Sequence, residues 1–149
     1  METYTDDRIL AQPIGYWASM TGRSAVTFIR ATLESHGLTQ PQWWTLNYIA
    51  ARPDGVTLDE VVEYHRGFVD TDDALRPDVL ALVATGLLTE SDGALALSPQ
   101  GAQRRDETWP DIRAALARIR DGVTDAEFIT TIRTLQRMIE NVGDPAWHA

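Results

Sequence analysis

Three times in this 149-residue chain a threonine is followed three positions later by glutamine or glutamate, just ahead of an apolar run: Thr39 with Gln42, Thr57 with Glu60, and Thr124 with Glu127. In such a box the hydroxyl accepts from the backbone N–H three residues on, and the longer side chain reaches back to the threonine N–H. Two amides that a helix start leaves unpaired are thereby satisfied. Each box therefore fixes a helix start, and the rest of the chain must fit between them.

The apolar periodicity fills in the elements. Pro13 opens a first long helix over 13–36, with Ile14, Trp17, Ala18, Ala25, Phe28, Ile29 and Leu33 in a helical stripe and His36-Gly37 at its end. Thr39 starts a second helix to about Ala51, "RPDG" (52–55) is a turn, and Thr57 starts a third, short helix to about Tyr64. A fourth helix ends at Gly86. "LLTESDGALALS" then reads as two short strands around Asp92-Gly93, a strong two-residue hairpin signal. Ser98-Pro99 caps a fifth helix to Arg120, with an interruption expected at Pro110. Thr124 starts the last helix, to about Val142.

The order is four helices, a β-hairpin and two helices. This predicts a mainly α fold with a small hairpin wing: a winged helix-turn-helix over about 38–98, flanked by long helices at 13–36 and 99–143, in one domain spanning 1–149. The outer helices are striped more broadly than one winged lobe can cover. Ile14, Phe28, Phe128, Ile132, Leu135, Ile139 and Val142 are accordingly expected to bury against a second copy in a C2 homodimer; the alternative is a monomer whose termini pack on themselves.

Composition excludes several functions. There is no cysteine, so no disulfide and no cysteine–zinc site, and every one of the 13 basic residues is arginine, so no lysine nucleophile. No apolar run approaches the length of a membrane span, and "METYTDDRIL" carries acids where a signal peptide carries bases; a cytoplasmic protein without membrane contact is expected. His36, His65 and His148 are scattered, and there is no P-loop, dinucleotide fingerprint or Gly-x-Ser-x-Gly. No cofactor, metal or catalytic residue is expected, and His65 reads as a solvated surface histidine.

Four segments, in order, carry a family resemblance. "GLTQPQWWTLNYIA", "ATGLLTE", "LSPQGAQRRDETWP" and "VTDAEF" resemble the second helix, the recognition-helix exit, the wing exit and the last-helix start of the MarR (multiple antibiotic resistance regulator) family. The resemblance covers about 13–143. It implies a homodimeric, ligand-responsive transcriptional regulator that binds double-stranded DNA and takes up small amphipathic or aromatic molecules between its dimerisation helices and winged lobe. On that scheme Tyr16, Trp17, Met20, Arg23, His36, Trp43, Trp44, Tyr48 and Trp109 are the expected pocket. The competing reading packs the tryptophans into core and dimer interface.

The segment expected to read DNA is unusual. The DNA or partner face falls on Arg66, Asp70, Asp72, Asp73, Ala74, Arg76 and Pro77, with Asp92 on the wing. Between Asp54 and Ser98 stand ten acids against Arg66 and Arg76, and the rest of the chain is nearly neutral within a net charge of −9. An unpaired aspartate ~7 Å from a phosphate costs on the order of 0.6 kcal/mol in water before screening, and several would add. DNA binding is thus electrostatically disfavoured. Two other roles follow: a winged-helix dimer that has lost DNA binding and serves as a small-molecule-binding or protein-docking module, or, less favoured, a cofactor-free enzyme using the interhelical cleft.

Overall fold

The computed structural model describes residues 4–66 and 75–144. It contains α1 (Asp6–Leu10), α2 (Ile14–Glu34), α3 (Gln40–Ala50), β1 (Val56–Thr57), α4 (Leu58–Tyr64), α5 (Arg76–Ala84), β2 (Leu88–Ser91), β3 (Ala94–Leu97), α6 (Pro99–Ile119) and α7 (Asp125–Asn141). The three threonine boxes are present as read: Thr39, Thr57 and Thr124 each accept from the third backbone amide on, with Gln42, Glu60 and Glu127 closing the ring. Glu60 is held below the usual carboxylate range by its bonds to the Thr57 backbone and hydroxyl, and Glu127 by those to the Thr124 hydroxyl and backbone.

The hairpin also forms where the sequence places it. Asp92 and Gly93 take φ of 51° and 79°, the left-handed pair a tight turn between twisted strands requires. β3 is the central strand of an antiparallel sheet in the order β1-β3-β2, with Val56 opposite Leu95 and Leu88 opposite Leu97. The strand β1 and the short helix α1 carry no sequence signal strong enough to announce them.

Leu33, Leu46, Ile49, Val61, Leu75, Val79, Leu82 and Leu88 bury together as the core of the winged lobe, closed by Ile112 from α6. The base of the wing is locked to α6. The Ser98 hydroxyl reaches the carbonyls of Gly86 (2.7 Å) and Leu87 (3.0 Å) and accepts from the Gly101 amide (2.9 Å). At Gly101 a Cβ would stand 2.0 Å from the Leu87 carbonyl oxygen, so only glycine allows this approach.

Two expectations are corrected. α6 runs without interruption through Pro110: proline forfeits one amide bond, and packing of α6 on α2 and α3 keeps the helix in register. Pro77, which in the sequence reads as restricting the helix where insertion into DNA would begin, does not do so. It lies in the first turn of α5, where the missing N–H would be unpaired anyway. The residues Asp70, Asp72, Asp73 and Ala74 of the expected reading face lie outside the described residues.

The outer helices leave their stripes uncovered. No residue of α7 is buried; Phe128, Ile132 and Ile139 are each about two-fifths exposed and Leu135 is half-buried. Ile14, Phe28 and Val142 are exposed as well. Ile14 and Ala18 of α2 share an apolar groove with Leu135, Ile139 and Val142 of α7.

Candidate functional site: an aromatic cleft and an acidic reading face

The second helix sets the cleft. Trp43, Trp44, Asn47, Tyr48 and Ala51 recur along α3 so that one side of the helix, not one residue, forms a wall; Tyr64 and His65 at the end of α4 and Trp109 of α6 complete it. The cleft is open to solvent, with a volume of about 390 Å³. Trp43, 6 % exposed, meets Trp109 edge-on with ring centres 5.0 Å apart. Trp44 lies parallel to the His65 ring at 6.2 Å, and Tyr48 packs on Tyr64 at 4.4 Å.

Expected as a surface group, His65 is instead buried at 3 % exposure among Trp44, Tyr48 and Tyr64. Its Nδ1 stands 2.8 Å from the Val61 carbonyl, which can only accept, so Nδ1 carries the proton. Burial lowers its pKa from the usual 6.5, the charge of Arg52 adds to this, and the Val61 bond works the other way. A single sequence gives no hint of this, because two of the rings that cover His65, Trp44 and Tyr48, come from another helix.

Arg52, read only as part of a turn, is the second residue the sequence did not mark. Its guanidinium carbon sits 3.6 Å above the Tyr48 ring and 5.4 Å from that of Tyr64, and Nη1 donates to the Tyr48 carbonyl at 3.0 Å. Among the described residues the cleft lining holds no carboxylate and no serine, threonine or cysteine, so no acid–base pair or activated nucleophile is assembled there.

The single expected pocket is not one site. Trp43, Trp44, Tyr48 and Trp109 meet in the cleft above, whereas Trp17 and Met20 line a separate groove of about 590 Å³ with Phe28, Arg118 and Ile119. Tyr16 stands edge-on to Trp17, and Arg23 sits against the Met20 sulfur. His36 is elsewhere again, its Nε2 2.8 Å from an Asp111 oxygen. The reason is length: twenty residues of helix span about 30 Å, so Tyr16 and His36 cannot wall one small-molecule site.

The face expected to meet DNA has a different character. Among the described residues, Pro77, Leu80 (53 % exposed) and Ala84 stand outward on α5, and none of these three carries a donor to reach a base edge. Arg76 donates to Asp59 at 2.6 Å and Arg66 pairs with Glu63 at 2.5 Å. Asp78 accepts from the Thr39 hydroxyl at 2.6 Å, so it ties α5 to the start of α3. The wing exposes Glu90 and Asp92 and carries no arginine between Leu88 and Leu97.

Among the described residues no group of three His, Asp or Glu side chains is placed to hold a metal ion, and no helix is long and apolar enough to cross a membrane. No family model matches the sequence, and no curated protein matches it. Solved structures do. A MarR family protein of Mycobacterium tuberculosis in complex with DNA superposes at a TM-score of 0.64 with 24 % identity, over 89 % of this chain and 99 % of that one. A MarR family transcriptional regulator from Silicibacter pomeroyi superposes at 0.67 with 15 % identity, over 93 % and 99 %. CouR of Rhodococcus jostii, bound to p-coumaroyl-CoA, superposes at 0.70 with 23 % identity, over 87 % and 93 %. The chain has the winged helix-turn-helix fold of the MarR family.

Proposed function

We propose that this chain is a ligand-responsive transcriptional regulator of the MarR type, acting as a cytoplasmic homodimer and taking a small aromatic ligand into the cleft between α3, α4 and α6. The observation that carries this reading is the placement of Tyr64 and His65. They are cleft wall and at the same time the end of α4, the helix of the helix-turn-helix that precedes α5. A ligand that shifts them bears directly on the reading element. Support comes from the fold relatives: the M. tuberculosis protein is solved with DNA and also with salicylic acid, and CouR with p-coumaroyl-CoA.

The dimer half rests on the exposed stripe of Phe128, Ile132 and Ile139 on α7, whose Ile139 shares an apolar groove with Ile14 and Val142. Light scattering is to give twice the chain mass; a monomer at micromolar concentration overturns it. The DNA half is tested by fluorescence anisotropy with duplex from the region upstream of the coding sequence at 50 mM salt. Binding below about 1 μM that weakens as salt is raised supports the regulator.

A second reading, a winged-helix dimer that binds ligand or protein but not DNA, is favoured by the reading face itself. Arg76 and Arg66 are engaged by carboxylates and the wing offers only Glu90 and Asp92. Absence of DNA binding below tens of micromolar at low salt decides for it.

A further inference from the structure

The short helix α4 uses its three acids in two ways. Glu60 turns back on Thr57, accepting from its amide at 2.7 Å and its hydroxyl at 2.8 Å, and is occupied by the capping box. Asp59 and Glu63 are four residues apart, so they stand on one face of the helix. That face holds two arginines. Arg76, at the start of α5, donates to Asp59 at 2.6 Å, and Arg66, just past α4, pairs with Glu63 at 2.5 Å. These are the only bases between Asp54 and Ser98. We infer that the Asp59–Glu63 face of α4 is an internal stand-in for DNA phosphates, an autoinhibitory mask over the two arginines of the reading side. The inference rests on the winged lobe binding DNA.

A carboxylate offers an arginine what a phosphate offers, anionic oxygens at hydrogen-bond distance, so the two compete for one guanidinium. Position gives the competition its consequence. A helix-turn-helix presents the N-terminal end of its reading helix to the groove, and Arg76 is the first residue of α5. The Asp59–Arg76 bond also joins α4 to α5, so it holds only while the two helices keep their present crossing. Both carboxylates remain in water, with the Asp59 side chain 83 % exposed and that of Glu63 63 %, and exposed pairs are weak. The mask is therefore graded: it lowers affinity for DNA and yields to it rather than forbidding contact. Asp78 behaves differently, since it is turned onto the Thr39 hydroxyl and masks nothing. Glu63 lies in the last turn of α4, directly before Tyr64 and His65 of the cleft wall. Whatever displaces that end of the helix moves a masking carboxylate with it.

The test is a double-mutant cycle read by fluorescence anisotropy, with the full-length protein and duplex from the region upstream of the coding sequence at about 50 to 200 mM salt. Asp59→Asn is to tighten binding about threefold and to steepen the log–log dependence of affinity on salt by about one, because the freed arginine takes one more phosphate. Glu63→Gln is to act likewise, and the two together are to tighten binding about tenfold. Arg76→Gln alone is to change affinity less than about twofold, since a masked arginine contributes little, yet in the Asp59→Asn background it is to erase the gain. Asp121→Asn, which removes an exposed paired acid outside the lobe, is to leave binding unchanged. A gain from Asp59→Asn that survives Arg76→Gln reports general relief of repulsion; it overturns the mask and leaves DNA binding in place. A larger loss from Arg76→Gln alone does the same, because it shows the arginine already on DNA, and it needs neither acid variant to fold. No binding by the wild type or any variant below tens of micromolar removes the DNA reading and the inference with it.

Discussion

Two surfaces of one lobe differ in chemical character. Among the described residues the cleft beside α3 is walled by indole and phenol rings around one arginine and no acid; the outward side of α5 and the wing shows Pro77, Leu80, Glu90 and Asp92, with Arg76 paired to Asp59 and Arg66, just after α4, paired to Glu63. Both surfaces are built on the same core of Leu46, Leu75 and Leu82. The contrast teaches that the net charge of −9 describes neither. Among the described residues of the middle third, Glu90 and Asp92 are exposed on the wing, while Glu60, lowered in pKa chiefly by its Thr57 bonds, stands near enough to Arg52 of the cleft for that charge to contribute.

If α5 is rigidly seated on that shared core, its inward and outward leucines must differ most. Leu82, fully buried, is to cost about 3 kcal/mol on truncation to alanine, whereas Leu80, one turn face away and 53 % exposed, is to stay within about 0.5 kcal/mol. Urea denaturation compares the two, and a near-equal loss would break the picture of α5 as a seated helix. A smaller effect sharpens the electrostatic contrast. Removing the wing acids with Glu90→Arg and Asp92→Asn, the asparagine tolerating the left-handed φ of 51°, is to raise DNA affinity about tenfold, or ~1.4 kcal/mol, and steepen its salt dependence. An unchanged affinity would place the wing away from DNA.

The smallest effect is set by His65. Its folded pKa lies below the unfolded 6.5, so the unfolded chain binds more protons between the two values. Stability from the neutral imidazole is full above pH 6.5 and is lost as pH falls through the window beneath it. Thermal melts from pH 7.5 to 5 are to show this decline, reduced in His65→Gln. Glu60 and Glu127 act only below their usual 4.5, so the two windows separate. A melting temperature independent of pH between 6.5 and 5 would place His65 in water rather than among rings.

Where reading the chain alone succeeds, the determinant is local. Thr57 and Glu60 cap a helix because they are three residues apart, and Asp92-Gly93 turns because of its own backbone freedom. The pocket fails that test. Tyr16 and Arg23 on α2, and His36 just past its end, do not share a site with Trp44, and the aromatic side chains were legible only as a group without an address. β1 was missed because two residues hold no pattern; they become a strand by pairing with Leu95 and Ala94.

By itself, then, the sequence determined where helices begin, where the hairpin turns, which stripes are apolar and that the middle third is acidic. All of these are set by neighbours within a few positions along the chain. Tertiary structure decided that His65 is buried, that Arg52 lies on Tyr48 and Tyr64, that Asp78 secures Thr39, and that the residues of the expected pocket fall in a cleft, a separate groove and, for His36, a third place. Each depends on which helices cross and at what distance, and burial, pKa and charge pairing are properties of those crossings rather than of any segment.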